Sequence, residues 1–144
     1  MKIRTARSDD LDAVKALLAQ NELPVAEVDA ALLEDFLVAE DARGKIVGSV
    51  GLERFGQSAL LRSLCVARHV RNAGLGTTLL SCAEATARSA GVFELWLLTT
   101  SAAGFFRSME YVEVDRCSAP AEVRQTRQFA QLCQANASCL KKQL

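Results

Sequence analysis

Between Leu60 and Gly76 the chain changes character three times, and the order of those changes constrains its fold more than any other feature. An apolar, β-prone run from Leu60 to Val66 gives way to a basic segment with Arg68, His69 and Arg71. Ala73, Gly74, Leu75 and Gly76 then open a helical pattern. A strand, a basic loop, a glycine turn and a helix in succession make an anion site. The first N–H groups of a helix have no partner within it and carry the positive end of its dipole, so amides converging there hold a negative group. Glycine lets that backbone come close because it has no Cβ. Arg71, with Arg68 beside it, adds full charges at the same mouth, which suits a pyrophosphate.

Two other phosphate cradles do not fit. A dinucleotide fingerprint needs a small residue three positions after Gly76, where Leu79 stands, and an acidic ribose reader roughly twenty residues on. A P-loop needs Lys and then Ser or Thr after its last glycine, and here Thr77 and Thr78 follow Gly76.

The flanking pattern predicts a strand over 2–6 and a helix capped by Ser8 or Asp9, with Leu11, Val14, Leu17 and Leu18 on one face until Leu23 and Pro24 break it. A second helical piece is expected over about 25–35. Strands follow over 36–40 and 45–53, joined by a hairpin turn at Asp41-Ala42-Arg43-Gly44, and a third runs over 59–66. Gly48 and Gly51 mark a bulge or a close backbone approach. Leu75, Leu79, Ala83, Ala87 and Ala90 form a narrow helical face that Gly91 stops in a left-handed turn. Leu95-Trp96-Leu97-Leu98 is then a strand buried on both faces and parallel to the one before the helix, which completes a β-α-β unit. Ser101 is expected to cap a short helix with Phe105, Phe106 and Met109. After it come a strand over 111–115, a helix over 121–132 and a last strand over 137–140.

A chain of 144 residues, half of them apolar, is one domain with one core. Lys and Arg total 17, as do Asp and Glu, so no global field recruits nucleic acid or an anionic membrane. The N-terminus lacks the apolar stretch of a signal peptide and no run suits a membrane span, so the expected location is cytoplasmic. Five cysteines without a C-x-x-C pair argue against a disulfide framework and against a structural zinc site, and no metal is expected.

Arg71-Asn72-Ala73-Gly74-Leu75-Gly76 resembles the acetyl-CoA signature R/Q-x-x-G-x-G/A of the GNAT acetyltransferase superfamily, placed as in that family between a strand and a long helix. Phe105-Phe106-Arg107-Ser108-Met109-Glu110-Tyr111 is similar to the family's F-[FY]-x-x-x-G-F, with Glu110 in place of the glycine. The resemblance covers nearly the whole chain. It implies an α/β (α+β) domain whose mixed central sheet splays between two parallel strands, with helices on both faces and acetyl-CoA as cosubstrate. Leu64, Cys65 and Val66 would then offer backbone hydrogen bonds to the pantetheine arm. The amides of Arg71, Asn72, Ala73, Gly74, Leu75, Gly76 and Thr77 would hold the pyrophosphate, and Phe106 would lie against the cofactor. Cys65 reads as an inert wall residue, since nothing near it in sequence would depress its pKa.

The catalytic side chains depart from the family. Phe106 stands where a tyrosine acid is usual, and Leu60 stands where many relatives place a carboxylate base. Glu53 is the remaining candidate base, against an ordinary surface carboxylate. Arg62, in an otherwise apolar strand, either reads the carboxylate of an amino-acid-like acceptor or forms an internal ion pair with Glu53 or Glu94. Thr99 joins it as a candidate acceptor contact. The tail from Pro120 to Cys139, with Leu97-Leu98-Thr99-Thr100, resembles the small acetyltransferases of bacterial arsenic-resistance clusters and, more distantly, the acetyltransferase domain of N-acetylglutamate synthases. Both imply a small amino-acid-like amine as acceptor, in arsenic or phosphinothricin-type resistance for the first group. The rival function is a GNAT-fold module that holds acyl-CoA, or trivalent arsenic through Cys133 and Cys139, without turnover. The tail is left between a wall of the acceptor site and a contact in a homodimer.

Overall fold

The computed structural model describes residues 1–26, 28–71, 73–133 and 136–144, with side chains throughout these except at 131–133. The strands are β1 (Lys2–Thr5), β2 (Phe36–Glu40), β3 (Ile46–Phe55), β4 (Ser58–Val66), β5 (Glu94–Thr99), β6 (Val112–Val114) and β7 (Ser138–Gln143). The helices are α1 (Leu11–Gln20), α2 (Ala30–Leu33), α3 (Leu75–Ser89), α4 (Ala103–Ser108), α5 (Ala121–Arg124) and α6 (Arg127–Cys133). The fold is mixed α/β, and its strands are hydrogen-bonded in the order β1-β2-β3-β4-β5-β7-β6. The chain divides into two compact units, residues 1–52 with 63–85 and residues 53–62 with 86–144. No helix among the described residues is long and apolar enough to cross a membrane.

In the first unit β1 and β3 both pair antiparallel with β2, and the register puts Gly51 opposite Phe36. A Cβ on Gly51 would lie 2.2 Å from Phe36 Cε1, so the glycine makes room for a ring that is wholly buried. At Gly48 the same atom would meet Leu79 Cδ1 at 2.9 Å. Both readings of these glycines are met: the β2–β3 register shifts between Ala39, opposite Gly48, and Glu40, opposite Ile46, which is a bulge beside Gly48, and at Gly51 the close approach is made by a side chain.

Neither Ser8 nor Asp9 caps α1. The carboxylate of Asp10 accepts from the Arg7 N–H at 2.7 Å while the Arg4 guanidinium grips it at 2.8 and 3.0 Å. The Arg4 hydrogen bond, stronger than the opposing effect of burial, holds the Asp10 carboxyl below the usual carboxylate range. The second helical piece shrinks from 25–35 to Ala30–Leu33, because Asp29 takes an extended conformation and its Oδ1 accepts from Leu32 N–H at 2.9 Å.

Three helices end in the same way. Glu22, Gly91 and Glu110 all have positive φ, at 59°, 85° and 73°. In each case the next residue's N–H returns to a carbonyl five residues back: Leu23 to Leu18, Val92 to Ala87, Tyr111 to Phe106. This is the Schellman stop, which favours glycine at its left-handed position but requires only that the closing hydrogen bonds and apolar contact outweigh the strain. Ala90 lies past the end of α3 and is exposed, so the buried face of that helix is carried by Leu75, Leu79, Leu80, Ala83 and Ala87.

In the second unit β5 pairs parallel with β4 and antiparallel with β7, and β7 also pairs with β6. Leu60, Trp96, Leu98, Val123, Phe129 and Cys139 pack into one buried cluster there. The expected helix over 121–132 is two helices. Thr126 Oγ1 donates to the Val123 carbonyl at 2.8 Å and accepts from Phe129 N–H at 3.2 Å, ending α5 and capping α6 with one hydroxyl.

Candidate active site

β4 carries the backbone on which the site is built. Its ladder with β5 runs from Ser58↔Glu94 to Leu60↔Trp96, and β4 itself continues to Val66. Within that continuation Ser63 adopts φ 58°, a left-handed residue in the middle of a strand. Ala67 then donates to the Val47 carbonyl at 2.8 Å, and a short 3-10 turn over Arg68–Val70 leads to Arg71. Arg71 Nε donates to the Val66 carbonyl at 3.2 Å, and its Nη2 to Asn21 Oδ1. Arg68 Nη2 reaches the Gln20 carbonyl at 3.5 Å, so a cation meets the negative end of α1.

Gly74 has φ 80°, and its carbonyl accepts both the N–H and the hydroxyl of Thr78, at 3.1 and 3.0 Å. The first turn of α3 therefore hangs from Gly74. A Cβ on Gly76 would sit 3.9 Å from Val66 Cγ2, an ordinary contact, so Gly76 is not required by packing. Ala73, Leu75 and Thr77 complete the described turn, while Asn72 lies outside the described residues. The loop that precedes the turn lines, with α1, a pocket of about 500 Å³ whose charged lining residues are Lys45 and Arg68, with no carboxylate among those lining it. The loop thus carries a positive flank that suits an anion.

The candidate side chains fall into three groups. Arg62 and Glu53 come together: Arg62 Nη1 donates to Glu53 Oε2 at 3.1 Å, with the arginine side chain wholly buried and the glutamate's 20% exposed. Glu94, the other partner left open by the sequence, accepts instead from Ser58 Oγ at 2.9 Å and Trp96 Nε1 at 3.0 Å. Thr99 ends β5, and its Oγ1 accepts from the N–H of Ala102 at 3.0 Å and of Ser101 at 3.4 Å. The hydroxyl oxygen at the start of α4 is therefore that of Thr99, and Ser101 makes no side-chain cap. Phe106 is buried, edge-on to Phe105 and Tyr111 at 5.2 and 5.5 Å between ring centres. Leu60 is wholly buried.

A match to the acetyltransferase (GNAT) domain covers residues 33–113, more than half of the chain. The chain belongs to the GNAT acetyltransferase domain family. It is 36% identical over 85 residues to an uncharacterized N-acetyltransferase of Chlorobaculum tepidum, a match spanning 58% of this chain and 54% of that protein. The chain thus spans about half the length of its curated relative. Its fold is similar to that of N-acetylglutamate synthase from Neisseria gonorrhoeae complexed with coenzyme A and N-acetyl-glutamate, with a TM-score of 0.87 at 21% identity over 99% of this chain and 35% of that one. It is also similar to Rv2747 from Mycobacterium tuberculosis in complex with CoA and NLQ, with a TM-score of 0.82 at 22% identity over 100% of this chain and 99% of the other.

Within the GNAT frame the odd residue of the second signature is explained. Glu110 stands where the family has glycine and takes the left-handed conformation that a glycine there adopts without strain. The residues that sequence reasoning missed are Ser63 and its buried neighbour Ser49. The one available signal was a serine interrupting an apolar strand.

Two buried thiols of this GNAT chain, Cys65 and Cys139, are held protonated. Burial pushes the Cys65 thiol up to about 11, against the weaker downward pull of a hydrogen bond with Ser49 and the Arg71 charge. Burial likewise pushes Cys139 up to about 11. The side chain of Cys133 lies outside the described residues. With iodoacetamide near neutral pH, exposed Cys117 should therefore be labelled roughly a hundredfold faster than Cys65 or Cys139, which should react only on unfolding. Peptide mass spectrometry of a labelling time course reads this out. Rapid labelling of Cys65 in the folded protein would reopen its assignment as an inert wall residue.

Proposed function

We propose that the protein is an acetyl-CoA-dependent N-acetyltransferase that acetylates the amine of a small amino-acid-like acceptor. The observation that carries this reading is the left-handed turn at Gly74, which joins β4 to the fifteen-residue helix α3 inside the residues matching the acetyltransferase domain. Acetyl-CoA supplies an activated acetyl thioester, and the amine attacks it directly. In this reading the amides of Arg71, Ala73, Gly74, Leu75, Gly76 and Thr77 bind the pyrophosphate, with Asn72 assigned on the signature alone. The backbone of Leu64, Cys65 and Val66 aligns the pantetheine arm, and Phe106 lies against it.

Glu53 takes the proton from the amine, and Arg62 orients the acceptor's carboxylate with Thr99 beside it. The pair they form at 3.1 Å is the internal ion pair that stood as the alternative to acceptor binding, so the acceptor role requires the carboxylate of the acceptor to compete with Glu53 for the guanidinium. No phenol is available at Phe106, and solvent protonates the departing thiolate, whose pKa lies near that of free cysteine, roughly 8.5. The relatives bound to CoA together with N-acetyl-glutamate or NLQ support an amino-acid-like acceptor. The tail's resemblance to acetyltransferases of arsenic-resistance clusters adds arsinic and phosphinic amino acids to the acceptor class.

The test is free-thiol release from acetyl-CoA across a panel of α-amino acids and their phosphinic and arsinic analogues. Thiol release above the rate of acetyl-CoA hydrolysis is expected with at least one member. Tight acetyl-CoA binding without thiol release from any of them would replace the enzyme by a binding module.

A further inference from the structure

We propose that Ser49 is a positioning residue: its hydroxyl holds Ser63 in the left-handed conformation and so sets the backbone of Leu64, Cys65 and Val66 that receives the pantetheine arm. The proposal rests on the acetyltransferase reading above. Ser49 lies on β3 between Gly48 and Val50 and is wholly buried. A hydroxyl in such a place is retained only when it is hydrogen-bonded. Its Oγ donates to the Ser63 carbonyl at 2.8 Å.

Ser63 needs that support. A non-glycine residue with positive φ is strained, and inside a strand it persists only where its surroundings over-determine it. Returning Ser63 to extended backbone would turn its carbonyl away and exchange the faces of the residues that follow, because side-chain direction in a strand alternates with period two. Leu64, Cys65 and Val66 would then present different backbone groups.

The same hydroxyl reaches further along β4. Ser49 Oγ lies 3.7 Å from Cys65 Sγ. Its single hydrogen is already directed to Ser63, so the thiol is the donor: Cys65 S–H to Ser49 Oγ–H to the Ser63 carbonyl. Burial keeps that thiol protonated at neutral pH. One β3 side chain thus ties down the β4 residues on either side of Leu64.

The experiment is a double-mutant cycle of Ser49→Ala and Ser63→Gly, read by calorimetric titration of acetyl-CoA and by melting temperature. Ser49→Ala should weaken acetyl-CoA binding about tenfold, or ~1.4 kcal/mol. In the Ser63→Gly background it should weaken binding less than about twofold, because glycine holds positive φ unaided. Should Ser49→Ala fail to fold, Ser49→Cys, close in size with a weaker donor, takes its place in the cycle. A merely structural Ser49 predicts a lower melting temperature with affinity unchanged, or an equal loss in both backgrounds, and either result overturns the proposal. A parent protein that does not bind acetyl-CoA would sink the acetyltransferase reading and this inference with it. A parent that binds it while the cycle shows no coupling sinks the inference alone.

Discussion

Gly74→Val should lower acetyl-CoA affinity at least tenfold while leaving the protein folded. A side chain at this position can interfere through packing or through backbone conformation. Packing does not interfere, since a Cβ built on Gly74 meets no heavy atom within 4 Å. Conformation does. At φ 80° a β-branched residue suffers roughly 1–2 kcal/mol of backbone strain or more, and relieving it means rotating the peptide units on either side. Those units include the carbonyl that receives both Thr78 N–H and Thr78 Oγ1, so the first turn of α3 would fray together with the turn.

The amides that bind the pyrophosphate in the proposed function are the ones displaced. Most of α3 and the β-ladders lie elsewhere, so the melting temperature should fall by no more than about 10 °C, as about 1–2 kcal/mol implies for a domain of this size. Gly76→Ala is the matched control, because its added methyl would meet Val66 only at ordinary contact distance, and it should cost little in fold or affinity. Titration calorimetry on the two variants decides the matter: a folded Gly74→Val protein that binds acetyl-CoA like its parent would remove the cofactor from this turn.

What the sequence makes legible here is local, and what it hides is long-range. β2 over Phe36–Glu40 follows the expected bounds because a short apolar run ending at a glycine turn specifies it within a few residues. Gly91 stops α3 as its type suggests. By contrast, Glu22 and Glu110 make the same stop without glycine, closed by the Leu23 and Tyr111 N–H bonds to Leu18 and Phe106. Asp10 displaces Ser8 and Asp9 from the start of α1 because Arg4, on another element, holds its carboxylate. Ser63 breaks the alternation of β4 through a bond to Ser49, fourteen positions away. The left-handed turn at Gly74 is legible because glycine marks it. The partner of Arg62 is not, because the sequence offers both Glu53 and Glu94 and only the fold pairs Glu53 with it.

Arg62 should give the largest loss of stability among the candidate residues. Arg62→Met removes a wholly buried guanidinium from a 3.1 Å bond to Glu53 and leaves that carboxylate with most of its surface out of water. Truncating one member of a buried pair costs about 3–5 kcal/mol, and the partial exposure of Glu53 brings the expectation to the lower end, about 3 kcal/mol. Thermal unfolding of Arg62→Met measures it. Arg62→Lys separates stability from recognition. Lysine retains the charge, so Glu53 keeps a partner and the melting temperature should change little. It lacks the planar fork, and a point ammonium that satisfies Glu53 has no fixed second pair of donors to align an acceptor carboxylate. On the proposed acceptor role, the Michaelis constant for the amino-acid-like acceptor rises about tenfold in Arg62→Lys while that for acetyl-CoA stays near the parent value. The opposite pattern, a depressed melting temperature with acceptor affinity intact, would make the Glu53–Arg62 pair a strut between β3 and β4. Glu53 would then have no role as a base either, because the carboxylate that takes the amine's proton and the guanidinium that fixes the amine are proposed to act as one unit.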